Sequence, residues 1–542
     1  MYYRLKSITL MCVSLIFSLS LPVYGETPSH LLTQNPSSLA QNPTAETDKL
    51  FEQGVKLQRR GQYFKALEVY QRVLKLRRSH NDKVGIAQTL NNLGRVYISL
   101  LEKDKADKAL QEALVIRREL KDRKGEGETL DNIGRVYGIK GEYKKALELL
   151  EQALAIRREV KDRKGEAKTL KMIGVVYILG FNKNAQALEF LQQALNIQEK
   201  VGDKYEASFT LLNIGRTYYF SKDYPRALEF LEKAKVLSRE ADNPVVEVLA
   251  LQGIASVYSD KGNKNGAAEV LESALVSAQK NQLRLDKLVI LNSLASGYNV
   301  SGKPVRARDL AQEAVNLARE LNRRQYEAQA LNILGTAYIL LRDYQKAEAV
   351  LLEAVSITRE IKNLDFELST LQSLNLIYTQ RGDFNKVIKN LLRQVEIAEE
   401  QNNNFKLVMI LKNLASIYNN TGKHQNALLS YQQALATIKQ IEISKLPQEL
   451  QKFAGRFELD TLKGISFSYS SLGEYDKGLL FAQQTLKVAQ SLNKPEYEVE
   501  ALLHLALLYD ATFNNYSKAI ELSQQALSIA KQINQPEKKA EV

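Results

Sequence analysis

Apolar residues in this chain follow helical spacing in short blocks, each broken by a turn signal and then repeated. In residues 130–160, LDNIGRVYGIKGEYKKALELLEQALAIRREV, the side chains of Leu130, Ile133, Gly134 and Tyr137 fall at i, i+3, i+4 and i+7, one face of a helix. Gly141 follows and predicts the end of that helix, because glycine takes the left-handed conformation a helix C-terminus favours. A second helix is expected to open near Tyr143, with Ala146, Leu150, Ala153, Ile156 and Val160 as its buried stripe. The predicted unit is a pair of antiparallel helices.

The unit recurs. Tyr97, Tyr137, Tyr177, Tyr218, Tyr258, Tyr298, Tyr338, Tyr378 and Tyr418 stand forty residues apart with one single-residue slip, and Tyr469 and Tyr509 resume the beat after a longer gap. Leu57 holds the same slot one period before Tyr97. A fixed period in this range predicts stacked copies of one supersecondary unit. The fold class expected is all-α, an α-solenoid: a right-handed superhelix of about twelve helix pairs.

A small-residue site on the first helix of each pair reads Gly54, Gly94, Gly134, Gly174, Gly215, Ala255, Ala295, Gly335, Asn375, Ala415, Ser466, Ala506. Its partner on the second reads Ala66, Ala106, Ala146, Ala187, Ala227, Ala267, Ala307, Ala347, Val387, Ala427, Gly478, Ala519. Small side chains there allow close approach of the two helices. Asn375 and Val387 both enlarge the site in the ninth copy, which predicts looser or shifted packing there. Start signals lie in the linkers: Asn243 before Pro244, and Asp203 with Glu206 at capping-box spacing. Arg117-Arg118 and Arg157-Arg158 sit toward the ends of second helices, where cations complement the helix dipole.

On these residues the chain resembles the tetratricopeptide repeat (TPR) family. Gly134, Tyr137 and Ala146 match the small-residue, Tyr and Ala positions of that repeat, and the forty-residue version is similar to kinesin-light-chain-like and Pins-like arrays. The wording IRREVKDRKGEAKTL (156–170) resembles bacterial arrays of the class. The resemblance covers roughly residues 48–535. Departures are the missing Tyr of the first copy, single-residue insertions near 180–184 and 511–515, and a segment at 441–460 that adds eleven residues. That segment predicts an extended helix end and a loop around Pro447.

The expected organisation is a signal peptide at 1–25, a disordered tether at 26–47, TPR repeats 1–10 at 48–440, the inserted extension at 441–460, TPR repeats 11–12 at 461–535, and a tail at 536–542. Arg4 and Lys6 precede the apolar stretch Ile8–Leu21, which is too short for a span of roughly 20 residues, and Val23-Tyr24-Gly25 supplies small residues for cleavage before Glu26. The expected location is exported, periplasmic or extracellular, with no stable membrane insertion after cleavage; an uncleaved membrane anchor is the alternative. The single cysteine, Cys12, lies in that stretch, so the mature chain would have no disulfide, thiolate nucleophile or Cys-ligated zinc.

The net charge of +13 is uneven: residues 48–170 carry 29 Lys/Arg against 19 Asp/Glu, and residues 171–542 carry 44 against 41. The first repeats are therefore where an acidic partner would bind. In TPR arrays the first helices line the concave surface, so the resemblance implies that the residues flanking the Ile/Leu-Gly pair point inward. Here these are Asn92 and Arg95, Asn132 and Arg135, then Asn213 and Arg216. Met172 and Val175 break the run in the fourth copy. Asn can serve an extended peptide backbone as donor and acceptor, and Arg offers carboxylates a planar fork. The expected partner is a protein or an extended acidic peptide held by these six residues.

Enzymatic chemistry has little support. His30, His80, His424 and His504 are scattered, with no metal-ligand spacing, and His504 is expected on the concave face or packed. No phosphate-binding glycine loop or nucleophile elbow occurs, so no cofactor, metal or catalytic residue is expected. The runs KDRKGE at 121–126 and 161–166 are mixed in sign and expected to solvate turns; no nucleic-acid partner is expected. The reading is a non-enzymatic, exported interaction scaffold. The alternatives are a regulatory arm, or shortened relative, of TPR systems with a caspase-like CHAT protease, and a structural envelope spacer. An uncapped final pair would expose apolar surface and allow self-association through the C-terminal repeat.

Overall fold

The computed structural model describes residues 43–442 and 448–533. The segment expected to be a signal peptide, most of the expected tether (26–42), the tail at 536–542 and part of the 441–460 segment fall outside those residues. Twenty-four helices follow one another in twelve antiparallel pairs, with no strand among the described residues. The first and second helix of each pair are called A and B. The first A helix is Pro43–Arg59, so regular structure begins inside the segment expected to be a tether to residue 47.

Local chemistry sets the ends. Asp82, Asp122 and Asp162 cap the A helices of repeats two to four, accepting from the backbone N–H of Gly85 (2.9 Å), Gly125 (2.9 Å) and Gly165 (3.1 Å). Asp203 caps through Glu206 N–H, and Asn243 caps ahead of Pro244 through Val246 N–H. Gly141 closes the A helix Arg123–Lys140 at φ +83°. Many sharp turns place a non-glycine in the left-handed region, among them Lys121, Lys161, Asp242 and Gln282, so the turn position is set by geometry more than by residue type.

The small-residue positions form the A–B contact. A Cβ on Gly134 would lie 2.9 Å from Leu150 Cγ and 3.2 Å from the Ala146 carbonyl, and one on Gly94 would lie 2.4 Å from Leu110 Cγ. Ala106, Ala146, Ala187 and Ala227 are fully buried. In the ninth pair Asn375 accepts a hydrogen bond from Asn390 on the facing helix (3.0 Å), and Val387 is buried. A polar clasp thus occupies the enlarged site.

The arginine pairs do more than face a helix dipole. Arg77, Arg117 and Arg157 are buried and lie over the first turn of the following A helix. Arg77 donates to the carbonyl of Gly85 (2.9 Å) and to Thr89 (3.0 Å), Arg117 donates to the carbonyl of Gly125, and Arg157 pairs with Asp162 (2.8 Å). Gly85, Gly125 and Gly165 leave room for these side chains: a Cβ there would come within 2.6 Å or less of the arginine. The second arginine of each later pair binds a buried glutamate, Arg118 to Glu126 (2.9 Å) and Arg158 to Glu166 (3.0 Å). This corrects the solvated reading of the KDRKGE runs: their Gly and Glu are buried joints between repeats.

The chain divides into two compact units between Arg342 and Asp343. In the second unit the insertion lengthens the A helix of repeat eleven, which runs from Gln448 to Ser471. Its Arg456 forks onto Glu500 of the next A helix. In the last pair Ile520 and Leu527 are 57% and 54% exposed, whereas Leu154 and Leu195, which match Leu527 in earlier repeats, are 8% and 4% exposed.

The first unit curls back on itself. The A–B turn of repeat one meets the starts of A helices in repeats five to eight. The Tyr205 hydroxyl donates to the Arg59 carbonyl (3.2 Å), and Arg60 pairs with Asp242 (3.1 Å). Gly61, at φ +74°, brings its backbone so close that a Cβ would sit 2.9 Å from Val245 Cγ2 and 3.0 Å from Leu283 Cδ2. The Arg323 guanidinium stands over the Phe64 ring at 5.9 Å. Tyr63 is 7% exposed; burial pushes its phenol up, with Tyr205 and Asp286 adding to the effect and Ser99 and Arg135 opposing it.

Candidate functional site

The A helices of repeats two to five, Lys83–Ser99, Arg123–Lys140, Arg163–Phe181 and Lys204–Phe220, carry the six residues singled out from the sequence. They separate into two environments.

Around repeats two and three the polar groups serve one another. Arg95 Nη1 donates to Asn92 Oδ1 at 3.4 Å, and Asn132 Nδ2 donates to Asn91 Oδ1 at 3.0 Å. Asn92 and Asn132 are only 8% and 3% exposed. Arg135 is half-buried; burial and the neighbouring Arg95 push its guanidinium down, while Asp131, Glu206 and Tyr63 oppose that effect. Glu206 closes the cluster through Lys171 (2.6 Å) and Lys168 (3.3 Å). Burial would raise its carboxyl, but Lys171, Lys168 and Arg95 outweigh burial and hold it below the usual carboxylate range. The cations Arg95, Arg135, Lys168 and Lys171 thus outnumber the carboxylates Asp131 and Glu206 that face them, and a surplus of positive charge remains.

Arg216 is placed differently. Burial alone pushes its guanidinium down to about 10. Its Nη2 is buried with no hydrogen-bond partner among the described residues. It borders a pocket of about 50 Å³ whose walls are Val175, Ile178 and Leu179 on one side and Tyr219, Phe220 and Leu231 on the other, with Asn213 and Ser256 as further polar members. Gly253 forms part of the lining, and a Cβ there would crowd Leu231 Cδ2 at 2.9 Å. Thus Val175, which interrupts the Asn/Arg run, supplies the apolar wall facing Arg216. No sequence signal singled out that pocket, since its walls are ordinary aliphatic and aromatic helix residues from three successive repeats.

His504 is half-buried and its Nε2 lies 3.1 Å from Ser466 Oγ. Burial and then Lys463 push the imidazole down to about 4. Among the described residues no three His, Cys, Asp or Glu side chains converge as metal ligands, and no helix there is long and apolar enough to cross a membrane.

Tetratricopeptide repeat models match residues 52–119, 86–159, 125–200, 166–240 and 286–360, and again 410–442 and 501–537. The chain belongs to the tetratricopeptide repeat family. As a TPR protein it is of the class of protein–protein interaction scaffolds, which are generally non-catalytic. No curated protein matches it. Among solved structures it is similar to the apo form of the quorum sensor NprR from B. thuringiensis, with 15% identity over 65% of this chain and 98% of that one and a TM-score of 0.44. It is similar also to a Rap protein complexed with Competence and Sporulation Factor, with 16% identity over 63% and 99% of the two chains and a TM-score of 0.40. A third likeness is to a STAND protein with a tetratricopeptide repeat sensor from Pyrococcus horikoshii, with 14% identity over 89% and 88% and a TM-score of 0.43. These likenesses concern the fold.

Proposed function

We propose that this TPR protein is an exported, non-enzymatic scaffold that binds an extended segment of a partner protein along the A helices of its first unit. The observation that carries the reading is the concentration of Arg95, Arg135, Lys171 and Arg216 on adjacent A helices, with buried nitrogens of Arg135 and Arg216 that no described residue satisfies. Native interiors rarely leave such groups unpaired. An acidic or carboxylate-bearing segment fits that surface, and Arg4, Lys6 and the apolar run Ile8–Leu21 support delivery across a membrane to the periplasm or the outside.

The test is a pull-down from envelope extract followed by hydrogen-exchange footprinting of the identified partner on the full chain. Protection confined to A-helix peptides between residues 83 and 260, and lost in the R216Q variant, is the expected result. A footprint on B helices or in the second unit overturns the groove assignment. A second contact surface is favoured by the exposed Ile520 and Leu527 of the last pair. Self-association through them predicts a concentration-dependent mass by analytical ultracentrifugation that L527K abolishes; a monomer at all concentrations refutes it.

A further inference from the structure

The turns at 121–124 and 161–164, both reading KDRK, carry cations that the joints between repeats do not use. Every carboxylate around these turns has an internal partner. Asp122 and Asp162 cap the helices that follow. Glu126 is bound by Arg118 and Arg123, and Glu166 by Arg158 and Arg163. Glu119 pairs with Lys83 (3.2 Å) and Glu159 with Arg123 (2.7 Å). These last two pairs each join one turn to the next, so the turns at 80–83, 120–123 and 160–163 stand in a row along one rim of the array. Lys121, Lys124, Lys161 and Lys164 are exposed on that rim and hold no ion pair among the described residues. Lys121 and Lys161 occupy left-handed turn positions, φ +56° each, where other turns of the same rim carry Asn81, Gly202 or Asn322. Further along the character changes: Lys204 is paired with Glu240 (2.8 Å), and the turn at 241–244 has no cation.

We propose that this rim docks on an anionic phospholipid surface, with Lys121, Lys124, Lys161 and Lys164 as the contact charges. Lysine is a flexible point charge and lacks the planar fork that recognises a single phosphate or carboxylate. The arginines of the same turns have that fork, but Arg118, Arg123, Arg158 and Arg163 are held by glutamates. A row of free point charges suits a sheet of headgroups, where each cation within a Debye length adds to the attraction. The chain also has a route to a bilayer. The apolar run ends at Leu21 and the first A helix opens at Pro43. At about 3.3–3.6 Å per residue, the intervening chain keeps the first repeats within roughly 75 Å of that run. The proposal rests on the export reading for this access and goes beyond it by giving the first unit a second kind of partner. The rim is also separate from the groove: Arg135 lies about three helical turns along its A helix from Lys124.

Vesicle co-sedimentation of the full chain tests it. The probes are phosphatidylcholine vesicles with and without about 30% phosphatidylglycerol. The apolar run at 8–21 contributes to both, so the readout is the preference for the anionic vesicle. That preference is expected to be at least about tenfold at about 0.1 M salt and to shrink at about 0.5 M. K121Q/K124Q/K161Q/K164Q is expected to remove it. K264Q/K280Q/K362Q/K423Q, which neutralises four exposed lysines elsewhere, is expected to keep most of it. Lysine acetylation read by mass spectrometry on the parent chain is a second measurement that needs no variant: anionic vesicles should protect Lys121, Lys124, Lys161 and Lys164. No preference for the anionic vesicle, equal loss in both variants, or protection that spares these four lysines overturns the docking surface. Polyphosphate that binds the parent as tightly as the vesicles do, and is lost in the same variant, makes the partner a soluble polyanion and overturns the lipid assignment. Cell fractionation separates this from the export reading. If the vesicles fail while the chain fractionates with the envelope, the rim assignment is wrong and export stands; if the vesicles bind while the chain stays in the cytoplasm, export falls and the lipid-binding rim stands.

Discussion

Two glycines in one helix, Gly134 and Gly138, allow the packing logic of the array to be measured against its own control. Both lie in the A helix Arg123–Lys140. Replacing either with alanine removes the same backbone-entropy cost, a gain of about 0.5–1 kcal/mol in a helix interior. Their surroundings differ. A Cβ at Gly138 meets nothing within 4 Å, whereas one at Gly134 falls 2.9 Å from Leu150 Cγ, 3.1 Å from Leu150 Cδ2 and 3.2 Å from the backbone oxygen of Ala146. Leu150 is fully buried, so it has little freedom to retreat, and the carbonyl belongs to the facing backbone. Overpacking of this kind costs roughly 1–3 kcal/mol. G138A is therefore expected to stabilise repeat three by up to about 1 kcal/mol, and G134A to leave it unchanged or destabilise it by as much as about 2 kcal/mol. Since the propensity term is common to both, the difference between them isolates the contact. A long repeat array does not unfold as one two-state unit, so the assay is hydrogen-exchange protection of peptides spanning 123–159 in the full chain. Equal shifts of the same sign at both positions would refute the A–B register described above.

Other outcomes follow from particular residues. Y63A empties a buried aromatic site and should cost about 3–5 kcal/mol, with exchange rising at 59–66 and also near 205, 245 and 285; a change confined to repeat one would mean the turn does not grip the later repeats. D162A removes the cap on Gly165 N–H and the partner of Arg157, both inside a joint where the two side chains are 4% and 12% exposed, and should cost at least about 3 kcal/mol. R60A, which breaks a pair exposed by 48% and 76%, should cost less than about 1 kcal/mol; equal effects of these two by chemical denaturation would contradict the burial argument. His504, pushed down to about 4 by burial and Lys463, favours the neutral ring when folded. The stability it lends is complete above the unfolded pKa near 6.5 and is lost as pH falls toward 4, at most about 3 kcal/mol. H504Q should therefore lose less stability than the parent chain between pH 7 and pH 4.5 in urea titrations followed by circular dichroism, and an identical loss would reject that assignment.

The sequence was legible wherever the structure repeats. Gly134 and Ala146 announce their contact because the same demand returns every pair, and a periodic constraint leaves a periodic trace. Asp203 and Asn243 could be placed as caps from their spacing to Glu206 and Pro244. The buried role of Arg117 and Arg157 was hidden, since an arginine beside another arginine near a helix end reads as solvated until the glycine beneath it is seen. The Arg216 pocket was half visible: Arg216 and Asn213 belong to a repeated motif, but Val175 looked like a lapse in that motif, and its role depends on which side chains the neighbouring repeats bring to the pocket. The curl that carries Gly61 against Val245 and Leu283 was not legible, because it sums small rotations between neighbours that no single residue encodes.

That curl changes how the first unit is made. An ordinary solenoid grows by nearest-neighbour addition, each new pair settling on the last, so its early repeats are complete soon after they leave the ribosome. Here Tyr63 reaches its final surroundings only after Tyr205 and Asp286 exist, and Phe64 only after Arg323 does. The opening turn must wait through more than two hundred and fifty residues of synthesis, or roughly 13–50 s at about 5–20 residues per second. Such contacts raise the sequence separation that folding has to bridge, and they join repeats one and eight in a single cooperative event. Deleting any pair between them would therefore alter the first repeat too.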